Sequence, residues 1–333
     1  MSDQVGVGVV GLGFVGAGAH LPAFRKLKNA NLVAITDVNE KALHKKAKKH
    51  GVASTYTDHR KMLEDPAVDA VVVATPTQHH APVAIDALQA GKHVLCEMPF
   101  APDLATVDKM IATAEKAGVY LMPSLNFRFT PNYVKAKELI DSGEIGKPTA
   151  IMYREWIPAA DLARQWPPGA WVWNLKETGG PLFTLAVWSI DLMRWLLDAD
   201  FEDIDANVEH FPIEKLGGTL GYTGFVNYKF PGGVIGSLQT SGSVASMCST
   251  SILEIIGDNT HQIKATWNNE IILFAEDPGR SAWHYHEGGG HRVWGHMQMD
   301  EHFADCILAG RQPSISPADG RRAVEVSLKI VGK

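Results

Sequence analysis

"VGVGVVGLGFVG", residues 5–16, decides the fold. Its first half has no charge and no polar side chain, the mark of a strand buried on both faces. It then runs without a linker into Gly11, Gly13 and Gly16, the G-x-G-x-x-G spacing. Glycines at that spacing are common in ordinary turns. Here a strand precedes them, and Asp37 closes the next apolar run, 31–38, about twenty residues on, so the context is that of a dinucleotide fingerprint. Gly11 allows the tight turn, Gly13 lets the backbone approach a pyrophosphate, and Gly16 allows close packing of helix on strand. The helix that opens there offers amide donors to phosphate. Asp37 is placed to accept from the adenosine ribose hydroxyls and to repel a 2′-phosphate, which favours NAD over NADP.

Further apolar runs follow at 68–76, 92–99 and 119–126, with helical patterns between them, such as the basic amphipathic stretch 40–51 that ends in glycine. Apolar strands alternating with helices imply a doubly wound parallel sheet over residues 1–125. The texture changes from residue 126. A helix (131–143), a strand (149–157), a Trp- and Pro-rich loop and a strongly apolar helix (180–197) lead into alternating strands at 204–211, 222–230, 233–241, 251–257, 261–266 and 270–275. Pro231-Gly232-Gly233 and Gly257-Asp258-Asn259 have hairpin chemistry. Residues 126–333 therefore read as an α+β domain with a large, mostly antiparallel sheet. Its open face calls for a cover, and a second copy of the chain would provide one, giving a homodimer or homotetramer.

With 333 residues, 45% hydrophobic and 20% charged, the composition is that of an ordinary globular protein. The net charge of −6 gives no broad attraction to nucleic acid or anionic lipid, and the basic run at 44–50 reads as the solvated face of a helix. No apolar stretch approaches the ~18–20 residues of a membrane span. Cys96, Cys248 and Cys306 are widely spaced and no signal-peptide pattern opens the chain, so a cytoplasmic protein is expected.

"VVVATPTQHHAPVAIDALQAGKHVLCEMP", 71–99, carries a resemblance. Together with "NFRF" (126–129), "SGEIGKP" (142–148) and a glycine pair opening the apolar helix, it resembles the Gfo/Idh/MocA oxidoreductases. The resemblance implies a Rossmann domain that binds NAD(P) and a second domain for substrate and oligomerisation. It also implies hydride transfer to or from a carbon bearing a hydroxyl on a sugar, cyclitol or derivative. Carried over by position, Gly11, Gly13, Phe14, Val15, Gly16 and Asp37 would hold the adenosine and pyrophosphate. Thr75, Pro76, His80, Glu97 and Met98 would lie on the nicotinamide side, with Arg128, Thr184 and Trp188 toward the substrate.

The sequence departs from the family at the chemistry. Met98 stands where the family usually has lysine, and Thr184 and Trp188 stand where its apolar helix usually carries Asp and His. None of the three side chains is ionisable at neutral pH. The chain is then a dehydrogenase with a proton relay drawn from elsewhere, an NAD-dependent lyase or glycosidase acting through transient oxidation, or a cofactor-binding protein that has lost catalysis. Relay candidates are Lys176, Glu177, Arg154, Glu155, Tyr153, Arg128 and the histidines of 283–296, His284, His286, His291 and His296. His284, His286, Glu287 and His291 also include zinc-type ligands, but they read better as a polar loop over a substrate cleft, and no metal is expected. Trp156, Trp166, Trp171, Trp173, Trp188, Trp283 and Trp294 would either stack on sugar faces or build a core.

Overall fold

In the computed structural model every residue of β1 (Val5–Val10) is buried, as a strand covered on both faces requires. The structure describes residues 3–266, 270–276, 279–285 and 294–333. β1 lies at the centre of a six-stranded parallel sheet with β2 (Ala30–Thr36), β3 (Ser54–Tyr56), β4 (Ala70–Val73), β5 (His93–Cys96) and β6 (Leu121–Pro123). The order is β3-β2-β1-β4-β5-β6. The chain direction across the sheet reverses between β1 and β4, which opens a crevice at the carboxyl ends of the strands. The short edge strand β3 has no apolar run and is not legible from the sequence. Its pairing with Ala34, Ile35 and Thr36 of β2 defines it.

The flanking helices are closed by local chemistry. Asn39 caps Glu40–His50 by accepting from the Ala42 amide at 3.0 Å, and Gly51 ends that helix in the left-handed region. Asp103 caps Leu104–Ala117 in the same way, through Thr106.

The chain divides into two compact units, Met1–Asn126 with Gly289–Glu325, and Phe127–Gly288 with Val326–Lys333. A single boundary at 125/126 therefore needs correction, because 289–325 returns to the first unit. The helix His296–Leu308 packs on β1 and the helical segment 16–24, and it is anchored by contacts that no local pattern reports.

The second unit holds an eight-stranded sheet, ordered β14-β13-β12-β11-β7-β10-β9-β8. Its strands are β7 (Pro148–Pro158), β8 (Asp203–Ile213), β9 (Thr219–Lys229), β10 (Ile235–Val244), β11 (Thr250–Gly257), β12 (Gln262–Thr266), β13 (Glu270–Phe274) and β14 (Arg280–His284). Only the β7–β10 pairing is parallel. The hairpins at 231–233 and 257–259 fall where the turn residues place them. The helix Gly180–Leu197 packs on β7, β9 and β10, and the tryptophan-rich segment builds its own packing, with Trp166 edge-on to both Trp171 and Trp173. Among the described residues no helix is long and apolar enough to cross a membrane.

Candidate functional site

The glycine turn has different constraints at each glycine. Gly11 adopts φ +93°, and a Cβ there would lie 2.5 Å from the Ala74 carbonyl oxygen. At Gly16 a Cβ would fall 2.0 Å from the Gly11 carbonyl oxygen, inside any contact distance. Gly13 has nothing within 4 Å of that position and is exposed. The turn is thus closed by its first and third glycines and open at the second, the surface a pyrophosphate would approach. Asp37 braces it. One carboxylate oxygen accepts from the Leu12 amide and the other from the Asn39 amide, each at 2.8 Å. Each oxygen has a second lone pair, so Asp37 keeps capacity for a ribose hydroxyl.

Across the crevice, Thr75 sits beside Gly11, and its hydroxyl is buried with no hydrogen-bond partner among the described residues. An orphaned hydroxyl next to an open glycine cradle fits a polar cofactor. Phe14 is exposed, Val15 is half-buried, and Pro76 is exposed. His80 joins two of the loops at this end of the sheet. It is buried, and its ring nitrogens lie 2.8 Å from the Pro99 carbonyl and 2.7 Å from that of Thr75. Burial lowers its pKa, against the pull of those two carbonyls. It ties the loop after β4 to the turn after β5, where the Met98–Pro99 bond is cis. Met98 itself is buried.

Glu97, directly after β5, enters a buried charge array that the sequence reading missed. His20 Nε2 lies 3.0 Å from Glu97 Oε1, and His20 Nδ1 lies 2.9 Å from Asp300 Oδ1. Ser124 Oγ donates to the same Glu97 oxygen, and the His296 ring stands edge-on to His20 at 5.6 Å. Burial alone would lower the His20 pKa, but Asp300 and Glu97 outweigh it and raise the value to about 10. Burial likewise favours the neutral form of Glu97. His20, with His296 and Ser124, overcomes this and holds the carboxyl below its ordinary range. For Asp300 burial prevails, and its pKa is raised.

The second unit disperses the remaining candidates. Arg128 is held by Asp191, with Nε donating to Oδ2 at 2.8 Å and the terminal nitrogen to Oδ1. This bidentate pair takes two of the guanidinium's donors and fixes its orientation in the second unit. Arg154 donates to Gln239 and lies over the Trp156 ring, so it belongs to the face of β7 opposite Tyr153 and Glu155. Lys176 and Glu177 are exposed, on a one-turn helix. Thr184 is buried, with its hydroxyl turned back to the Gly180 carbonyl at 3.4 Å, and Trp188 is half-buried. His284 ends β14, where it faces Glu270 at 3.7 Å. His286, Glu287 and His291 lie outside the described residues.

The helix-covered face of the second sheet has one polar end. Ser251 Oγ lies 2.7 Å from the Tyr153 hydroxyl and 3.4 Å from that of Tyr133. Glu155 pairs in register with Ser251 and Thr240. Burial pushes its carboxyl up to about 7, against the Tyr153 hydroxyl, and burial pushes the Tyr222 phenol up as well.

Comparison with known proteins agrees with this geometry. Residues 5–125 match the family described as "Oxidoreductase family, NAD-binding Rossmann fold", and residues 133–261 match the "GFO/IDH/MocA C-terminal domain". Myo-inositol 2-dehydrogenase of Thermotoga maritima is 29% identical over 321 residues, covering 96% of this chain and 92% of its own length. Scyllo-inositol 2-dehydrogenase (NAD(+)) of Bacillus subtilis is 25% identical over 338 residues, covering 98% and 93%. The crystal structure of a probable dehydrogenase from Thermotoga maritima is similar with a TM-score of 0.82 at 28% identity, over 98% of this chain and 97% of that one.

Proposed function

The chain belongs to the Gfo/Idh/MocA family of oxidoreductases, and from that premise we propose that it is an NAD-dependent dehydrogenase acting on a hydroxyl of a cyclitol or sugar. The open position at Gly13, inside a turn that Gly11, Gly16 and Asp37 hold rigid, carries this reading. NAD bound there supplies the hydride acceptor, and in its reduced form the donor. The chain's own residues bind and orient. Backbone amides at the start of the helix after Gly13 meet phosphate, the Thr75 hydroxyl offers an unused donor, and Asp37 accepts from the ribose while disfavouring a 2′-phosphate. Met98, Thr184 and Trp188 carry no group that is ionisable at neutral pH, so the proton relay is drawn from other residues of the chain.

The substrate class follows inositol dehydrogenases among the relatives, such as the two described above. A spectrophotometric assay of NAD⁺ or NADP⁺ reduction against inositols, aldoses and their oxo derivatives tests it. NAD⁺ should be reduced with at least one cyclitol or sugar, and NADP⁺ more slowly by at least roughly tenfold. NADH binding with no turnover on any compound would replace the proposal with a regulatory, cofactor-binding role. Glycoside cleavage without net cofactor change would replace it with chemistry through transient oxidation.

The second sheet also supports self-association. Phe225 and Ile235 are more than half exposed on its uncovered face, with Trp156, Ile256 and Phe274 partly so. A row of apolar side chains at that exposure favours burial against another copy. Sedimentation should give a dimer or tetramer, and Ile235→Lys with Phe225→Lys should shift it toward monomer. A monomer at all concentrations would exclude the assembly. Three free cysteines fit a reducing compartment, and the proposed location is the cytoplasm.

A further inference from the structure

Three charged groups are buried in the first unit with little access to solvent. His20 and Asp300 have no exposed side-chain surface, and Glu97 keeps only 7%. A neutral imidazole has one N–H, but both of its nitrogens here face carboxylates. Two protons must lie along the His20–Glu97 and His20–Asp300 contacts, and with Glu97 ionised the three groups together carry one net negative charge. Among the described residues both hydrogen bonds to Glu97 fall on Oε1, so Oε2 is the oxygen left for a ligand. The other polar neighbours are Ser124 after β6, His296 on the helix that bears Asp300, and Cys96, whose thiol burial pushes up and keeps neutral. Met98, next in the chain, brings no compensating cation.

The sheet order assigns the array an end of the crevice. Asp37 follows β2, on the adenosine side of the turn after β1. A dinucleotide crossing the switch point places its other half over β4 and β5, and Glu97 follows β5. We propose that the Glu97–His20–Asp300 array presents a fixed carboxylate to the nicotinamide, so that the protein favours the oxidised, cationic ring over the neutral reduced ring. The proposal rests on the cofactor reading above. A carboxylate held this firmly ionised is a poor proton acceptor, because an efficient base has a pKa near the working pH. Its effect is that of a permanent charge in a low-dielectric site. His20 and Asp300 are positioning residues that act through Glu97.

The test separates array from cofactor. In the cofactor-free protein with ¹⁵N-labelled histidine, one ring should keep both nitrogens protonated at about pH 8.5, far above the ordinary histidine range. If every ring has lost its second proton by then, the proposal fails. Calorimetric titration with NAD⁺ and NADH should show that Glu97→Gln weakens NAD⁺ relative to NADH by roughly tenfold. In His20→Asn the preference should become pH-dependent. It should be intact near pH 9 and lost near pH 6, where a buried carboxyl without its cation takes up a proton. A purely structural role for His20 would weaken both cofactor forms alike at every pH, and equal effects of Glu97→Gln on both forms would overturn the proposal. If neither form binds the unaltered protein, the cofactor reading itself falls, an outcome distinct from binding with an unchanged ratio.

Discussion

Replacing Asp191 with alanine is expected to cost about 3–5 kcal/mol of unfolding free energy, the range for breaking an enclosed ion pair by removing one partner. Asp191 is 1% exposed on the helix Gly180–Leu197, and Arg128 is 11% exposed in the short turn Asn126–Phe129. The guanidinium cannot shed its charge, so it would stay in a poorly solvated place without the carboxylate that takes two of its donors. Asp191→Asn retains the shape and one acceptor and should lose less. Urea unfolding of the two variants beside the unaltered protein measures this. A loss below about 0.5 kcal/mol in Asp191→Ala, the level of an ordinary surface change, would mean that Arg128 is free to act elsewhere. That would favour it as a ligand for substrate.

The second large effect concerns the glycine turn, where two neighbouring glycines should behave in opposite ways. Gly16→Ala places a methyl group 2.0 Å from the Gly11 carbonyl oxygen, a backbone atom that can yield only if the turn moves. Overpacking of this kind typically costs about 1–3 kcal/mol, and the displaced turn should also weaken NADH by at least roughly tenfold. Gly13→Glu meets open space and should leave the melting temperature within about 1 °C, as exposed substitutions usually do. It sets a negative side chain where phosphates would approach, so its loss of NADH should be at least as large. A folded Gly13→Glu protein with unaltered NADH affinity would remove the cofactor from this turn.

What the sequence revealed was local. The strand of 5–10, the glycine spacing, Asp37 and the hairpin glycines each impose a backbone requirement that neighbouring residues announce. The missed features are relations between distant residues. His20 and Asp300 are 280 positions apart, and each alone reads as an unremarked polar residue in a helix. The return of 289–325 to the first unit has the same cause, since the helix bearing Asp300 is recruited by a partner near the other end of the chain. Arg128 was legible as a charge but not as a paired one, because Asp191 lies 63 residues away within a largely apolar helix. β3 escaped because a three-residue edge strand takes its conformation from β2.

Met98, Thr184 and Trp188 show how far a familiar motif reaches. The turn that binds and the residues that react are separate physical demands, and substitution at the second leaves the first intact. Met98 and Thr184 are both buried, so they are integrated parts of this fold rather than exposed replacements.

The most direct test of the central claim is the titration of NADH into the unaltered protein and its Gly13→Glu variant, followed by nicotinamide fluorescence. The account predicts saturable binding to the first, displaced by NAD⁺, and its loss in a variant that melts at the same temperature. No saturable binding to the unaltered protein, or equal binding to both, would contradict it.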